Sequence, residues 1–423
     1  MANAFSKEER VAFEDLLEGF NDALILSRNV SVYSTDSAMM ERARDTIWRP
    51  MPYIAQSINA TAGSSIAGSY QDMTQLSVPA TLGYSKAVPW TMTTLELRDA
   101  LQEGRLGTAA RQKLASDINT AVLDVAANQG TLVVTTTTPA GSYDDVALCD
   151  SVMNEQGVPD FDRYLALSSR DYNGLAGNLA AATRSFGNEK SDSAYERSRV
   201  GMVAGFDTYK LDTAKRITAQ GAAPTMNTTL AANVEYVPQA TSVAVGGEIN
   251  VDNRYQQVTV SSTAGVAAGD AFEIAGVEAV HHITKQSTGQ LKTFRVLSVD
   301  SGTTMTISPA IISGGGGTDA ELQYKNVELA STSGTAAITF LNTTAANVNC
   351  FWQRDALELL PGRFAVPSDA GTAVMRATTD QGVELVMQKF YDIDSMTIKY
   401  RLDTLFGVCC KQPEMAGILL FNQ

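Results

Sequence analysis

Apolar residues recur at Phe13, Leu16, Leu17, Phe20 and Leu24, the three-and-four spacing of one helix face. Ser6-Lys7-Glu8-Glu9, just ahead, has the form of a capping box, with the serine hydroxyl serving the Glu9 amide and Glu9 reaching back. Glu14, Glu18 and Asp22 fall four apart on another face, so the predicted helix is amphipathic and acidic. A second helical pattern runs from Leu106 to Gln129, with Leu114, Ile118, Ala121, Val122 and Val125 on one stripe and Gly130 at its C-terminal cap. At 1.5 Å per residue it makes a strut of about 35 Å. Thr131–Thr135 reads as a strand, Ser142 caps a helix through Glu155 closed by Gly157, Tyr164–Leu167 reads as a buried strand, and a helix starts near Ser169. This alternation predicts a mixed body of helices and strands.

The pattern changes near Gln220. As far as about Thr343 the chain is rich in Thr, Ser, Val and Gly, with short runs at Gln257–Ser261, Ala271–Ile274, Thr293–Val299 and Thr304–Ser308. Turn signals at Ala268-Gly269-Asp270 and Asp300-Ser301-Gly302 separate them, which predicts a small antiparallel sandwich or barrel. Gly314–Gly317 reads as a loop tip with no strand before it and no helix after it. The mixed pattern resumes after Asn347 and includes a strand at Met396–Leu402. From Pro50 to Ser85 the only charged side chain is Asp72, a stretch too long for an ordinary loop, so it reads as an arm ordered by contact with something else, or as a disordered segment.

Composition narrows the function. The chain has 423 residues, 18% of them charged, with 32 Lys+Arg against 46 Asp+Glu and a net charge of -14. That balance argues against a sequence-specific nucleic-acid binder, which needs a basic face, but suits a container whose wall does not grip its contents. The only two histidines are His281 and His282, so any histidine-dependent nucleophile or metal scheme must use this dipeptide. In a strand the two rings point to opposite faces and cannot share one ion. Cys149, Cys350, Cys409 and Cys410 form no disulfide framework, and Cys409-Cys410 reads as core filling in a reduced compartment. There is no P-loop, no nucleophile elbow and no dinucleotide fingerprint. Asp160/Asp162 and Asp392/Asp394 could chelate a cation, but turn and capping roles are the commoner use of such pairs. Glu248 and the Asp252-Asn253-Arg254 turn set both signs of charge near a Gly246-Gly247 tip, as a symmetric two-fold contact requires. The plainer reading is a solvated loop with an internal salt bridge.

Several segments, in order along nearly the whole chain, resemble the major coat proteins of short-tailed phages of the P22 type. They are Asp45-Thr46-Ile47-Trp48-Arg49-Pro50, Leu97-Arg98-Asp99, Arg111-Gln112-Lys113-Leu114-Ala115, Gly130–Thr135 and Val203-Ala204-Gly205-Phe206-Asp207. Val251–Tyr255 with Gly269-Asp270 and Ala275-Gly276-Val277, then Asn349-Cys350-Phe351-Trp352 and Pro413–Gly417, complete the set. The resemblance implies an α+β, HK97-type coat fold with an inserted antiparallel β-barrel. It places an N-terminal arm at 1–45, an extended-loop region at 46–90 and a peripheral domain with the spine helix at 91–140. An apical domain follows at 141–221 and returns at 346–390, the insertion fills 222–345, and closing strands occupy 391–423.

The implied function is structural, not enzymatic, and needs no cofactor and no metal. Copies of the chain form hexamers and pentamers of an icosahedral shell, assembled in the bacterial cytoplasm on a scaffolding protein. A portal protein occupies one vertex, and the shell encloses double-stranded DNA without sequence-specific binding. The resemblance implies that Glu14, Asp15 and Glu18 dock a basic helical segment of the scaffolding protein. It implies also that the loop carrying Glu248, Asp252 and Arg254 bridges neighbouring capsomers. Lysine is absent from Tyr53 to Ser85, so a shell without lysine–asparagine crosslinks is expected. Two other readings fit parts of the chain. An encapsulin-like nanocompartment would assemble without scaffold, and a β-rich tail adhesin would suit the Thr/Ser/Gly composition but not the long helix.

Overall fold

The computed structural model of the chain describes residues 5–33, 46–52, 55, 57–58, 63, 65–102, 107–180, 194, 196–213, 215–221, 226–229, 236–330, 334–366 and 372–423. Asp45, Tyr53, Asn59 and Leu106 lie outside this set, as do the side chains of Asp22 and Asp99. The chain divides into two compact units, each built from three separated segments.

The first unit takes Met1–Ile47, Pro79–Val125 and Leu357–Cys409. Helix α1 (Lys7–Ala23) buries Phe13, Leu16 and Phe20, the stripe its spacing predicts. Helix α2 (Thr94–Gln102) follows, then α3 (Thr108–Gln129), the long strut, whose Leu114, Ile118 and Val122 are fully buried. The sheet of this unit runs in the order Ser31–Val32, Leu357–Pro361, Thr397–Cys410, Glu384–Asp392, Ala373–Thr378. The strand Tyr84–Thr93 also pairs antiparallel with Thr397–Cys410. Two of those directly opposed pairs stack their rings: Trp90 on Tyr400 at 5.5 Å and Tyr84 on Phe406 at 5.2 Å. Cross-strand aromatic pairs of this kind hold a ribbon together where one of its faces is wet.

The second unit takes Trp48–Val78, Ala126–Ala356 and Cys410–Gln423. Its mixed sheet runs Leu132–Thr135, Ala416–Leu420, Asn349–Gln353, Arg163–Ser168, Phe206–Leu211, Met202–Val203. Helices α4 (Tyr143–Glu155) and α5 (Ser169–Leu179) pack against it around Val146, Met153, Leu165, Leu175 and Phe351. Ser142 and Asp145 form a full capping box at the start of α4.

The Thr/Ser/Val/Gly-rich span forms a separately cored β-body within this unit. Antiparallel strands follow the order Asn227–Thr229, Thr335–Phe340, Ala271–Val280, Ser287–Val299, Thr304–Ser308, Gln256–Thr259. The ring closes where Thr228 bridges Val260 and the Thr228 hydroxyl donates to the Thr259 carbonyl at 2.9 Å. A further strand, Val327–Leu329, pairs with Ala271–Val280 off this path, so the barrel is nearly closed. Phe272 lies at the centre, 5.7 Å from the Phe294 ring and 5.9 Å from that of Phe340.

Two sequence expectations change here. His281 and His282 do not lie in a strand; the strand ends at Val280 and both enter a turn. The glycine run is followed by a helix, α6 (Asp319–Tyr324), started by a Thr318/Glu321 capping box. Thr318-Asp319-Ala320-Glu321 carries that signature, but the helix is too short to show an apolar periodicity.

Candidate functional site

Ser6 and Glu9 form the anticipated box at the start of α1: the Ser6 amide donates to Glu9 Oε2 at 2.8 Å and the Glu9 amide to Ser6 Oγ at 3.2 Å. The same Glu9 is buried, and its Oε1 accepts from Lys389 Nζ at 2.6 Å and from the Tyr400 hydroxyl at 2.5 Å. Burial alone would raise its carboxyl, but the bonds from Lys389, Tyr400 and the Ser6 amide outweigh that and hold it below the ordinary value. At the other end, Asn119 of α3 accepts from the Leu26 amide at 3.2 Å and donates to the Ala23 carbonyl at 3.0 Å, a C-terminal carbonyl of α1 that also accepts from the Ile25 amide. Gly19 leaves room for the Arg111 guanidinium, which a Cβ there would push aside. A helix pinned at both ends presents Glu14, Asp15 and Glu18, all exposed, on its outer face.

The other candidate set is divided. Glu248 lies on a two-stranded hairpin, Thr241–Ala244 with Gly247–Asn250, opposite Val243, and is exposed. Val243 and Val245 are fully exposed and Ile249 is half exposed. Gly246 and Gly247 turn the tip with φ of 115° and 131°, values a side chain rarely tolerates. Asn253 fixes the hairpin base, donating to the Gln239 and Val251 carbonyls at 2.8 and 3.1 Å and accepting from the Gln239 amide at 3.0 Å.

Asp252 and Arg254, expected beside Glu248 on the protruding tip, are instead used inside the subunit. Arg254 is buried, clasps Asp252 through Nε at 2.9 Å and Nη2 at 2.7 Å, and donates from Nη1 to the Cys410 carbonyl at 2.6 Å. A guanidinium removed from water needs its donors filled, and the nearest carboxylate two residues away fills two of them. Asp392 serves a turn, accepting from the Asp394 amide and from Lys399, and Asp162 lies in a bend with a φ of 52°. Among the described residues, no three His, Cys, Asp or Glu side chains come together in a way that could hold a metal ion.

Sequence reasoning missed the polar groups that dock the barrel on the rest of its unit. Arg295, buried in strand Ser287–Val299, donates to the Ala127 carbonyl at 2.9 Å and the Gly130 carbonyl at 3.4 Å, capping the C-terminus of α3. The Thr293 hydroxyl donates to the Thr131 carbonyl at 2.7 Å. Lys292 pairs with Glu414 at 2.5 Å and donates to Gln156 Oε1 at 3.1 Å. Burial opposes the Glu414 charge, but Lys292 and His282 beside it hold its carboxyl below the ordinary value. Nearby, burial pushes Lys285 down to about 8 and lowers His282. No motif announces these contacts, because each joins residues remote in sequence.

The described residues thus include a pinned acidic helix, an exposed hairpin with apolar side chains in water, and a nearly closed barrel. Among solved structures, the CUS-3 coat protein I-domain is 40% identical, matching 29% of this chain and 99% of that one, with a TM-score of 0.23. A structure from Mycobacterium phage Che8 matches 94% of this chain and 90% of its own at 9% identity, with a TM-score of 0.45. The capsid of the cyanophage P-SCSP1u matches 94% and 88% at 10% identity, with a TM-score of 0.44. The family model described as P22 coat protein, gene protein 5, matches residues 1–422. With all but its last residue inside that match, the chain belongs to the P22 coat protein family.

Proposed function

We propose that this major capsid protein builds an icosahedral procapsid on a scaffolding protein, closes one vertex around a portal protein, and then encloses double-stranded DNA. The observation that carries the reading is the family match across residues 1–422. Family membership brings with it the HK97-type coat fold, which the long α3 strut and the nearly closed inserted barrel fit. A net charge of -14 disfavours adhesion of packaged DNA to the wall. In this reading Glu14, Asp15 and Glu18 steer a basic helix of the scaffolding protein onto α1 by salt-sensitive attraction. The hairpin around Glu248 reaches a neighbouring capsomer, with Asp252 and Arg254 bracing it from below.

The test is to express the chain with and without a candidate scaffolding protein and to image sedimented material by negative-stain electron microscopy. Uniform closed shells only with scaffold support the reading. Uniform shells without any partner point to a nanocompartment, and soluble monomers in both cases reject a shell. Glu14→Lys with Glu18→Lys is expected to reduce scaffold uptake while leaving the subunit folded.

A further inference from the structure

The charge-poor arm has a defined root. The Met51 amide donates to the Leu76 carbonyl at 2.8 Å, and Gln75 Nε2 donates to the Met51 carbonyl at 2.8 Å, so the two legs meet. Leu76 is buried in a small apolar cluster with Ala310, Ile312 and Tyr324. One face of α6 then grips the outgoing leg. Asp319 Oδ2 accepts from the Asp72 amide at 2.7 Å. Gln323 accepts from the Thr74 amide at 3.3 Å and donates to the Asp72 carbonyl at 2.8 Å, reproducing with one amide side chain the reciprocal bonding of a neighbouring strand. The Tyr324 hydroxyl donates to the Thr74 carbonyl at 3.0 Å and accepts from the Leu76 amide at 3.3 Å. Beyond this clasp the described arm residues Ile58, Ile66 and Tyr70 stand exposed.

We infer that Asp319, Gln323 and Tyr324 are positioning residues for assembly: they preset the root of the arm in the free subunit so that its exposed apolar stretch meets a second copy of this chain. The inference rests on the shell-forming reading. Its physical basis is that a loop ordered beforehand does not have to be ordered at the moment of association. All five hydrogen bonds end on backbone atoms of Asp72, Thr74 and Leu76, so the clasp sets direction without reading arm side chains.

The experiment uses the full chain carrying Gln323→Leu and Tyr324→Phe, beside the wild type and the single Gln323→Glu variant. Amide hydrogen exchange is read on the unassembled subunit, and shell formation with scaffolding protein is followed by light scattering. Protection at Thr74 and Leu76 is expected to fall and assembly to slow by about tenfold or more, since the double variant removes four hydrogen bonds and a net loss of about two of them already gives that factor. Phe272 and Phe294 amides in the barrel keep their protection, which separates positioning from folding. Gln323→Glu retains the acceptor for the Thr74 amide and loses the donor, so it falls between wild type and the double variant. Should the double variant lose barrel protection, Tyr324→Phe alone is read, with the same expectation at Leu76. Unchanged assembly despite lost protection overturns the inference, as does unchanged protection. Absence of wild-type shells with scaffold removes the shell reading, and the inference with it, whatever the exchange shows.

Discussion

Lys389 Nζ donates to Glu9 Oε1 at 2.6 Å across 380 residues of sequence, and the Tyr400 hydroxyl shares the same oxygen. The carboxylate that starts α1 through its capping box thus also anchors the helix to the strands at the other end of the chain.

Glu9→Gln keeps the shape of the side chain and removes its charge beside a half-buried ammonium. Urea unfolding at pH 7 is expected to show a loss of about 3 kcal/mol, the scale of breaking one side of a buried pair. Because the folded carboxyl lies below its ordinary 4.5, its contribution is complete above that value and is lost as pH falls through the lower folded value. The difference between wild type and Glu9→Gln therefore closes on acidification below about pH 4.5.

Lys292→Met leaves Glu414 without its ammonium at the base of the barrel. A loss of about 3 kcal/mol is expected in equilibrium unfolding, and Lys292→Met with Glu414→Met recovers part of it because no charge is then stranded. If the double variant is as unstable as the sum of the singles, packing and not the ion pair holds this contact.

Arg254→Asp tests how the clasp divides the candidate loop. With both Asp252 bonds and the Cys410 carbonyl bond lost, the unassembled subunit is expected to melt lower than wild type. An exposed intercapsomer charge would leave the subunit melt unchanged and weaken only the shell.

Val243→Ser with Ile249→Ser alters side chains that already face water, so the melt of the subunit is expected to shift little. Shells of this variant are expected to dissociate at lower urea than wild-type shells. A hairpin of two strands is at best marginally stable alone, so contact with a neighbour is what would give those side chains a function. Equal shell stability would leave the hairpin as a solvated tip.

Much of the architecture was legible locally. The α1 stripe, the Ser6/Glu9 box, the uninterrupted α3 pattern and the short alternating barrel strands are all read from spacing, and the buried positions follow them. The histidine turn and α6 were not, because a turn after a regular strand and a six-residue helix leave no periodic trace. In the candidate sites, Glu14, Asp15 and Glu18 are exposed as their face of the helix requires, whereas Arg254 is buried against Asp252 while Glu248 faces water. Neighbours in sequence share a loop; whether their charges face water depends on what packs beneath.

The sequence alone determined the α1 and α3 helices, the short barrel strands and an acidic, histidine-poor composition, because period, capping and composition act within a few residues, while the shell-forming expectation came from the ordered resemblance of whole segments. Only the tertiary structure decided which charges stay free. Glu9 and Lys292 are taken into ion pairs, Arg254 closes on Asp252, and Arg295 caps a helix more than a hundred residues away. A buried charge must find its partner wherever the fold brings one, and that partner is set by three-dimensional proximity, which no local pattern encodes.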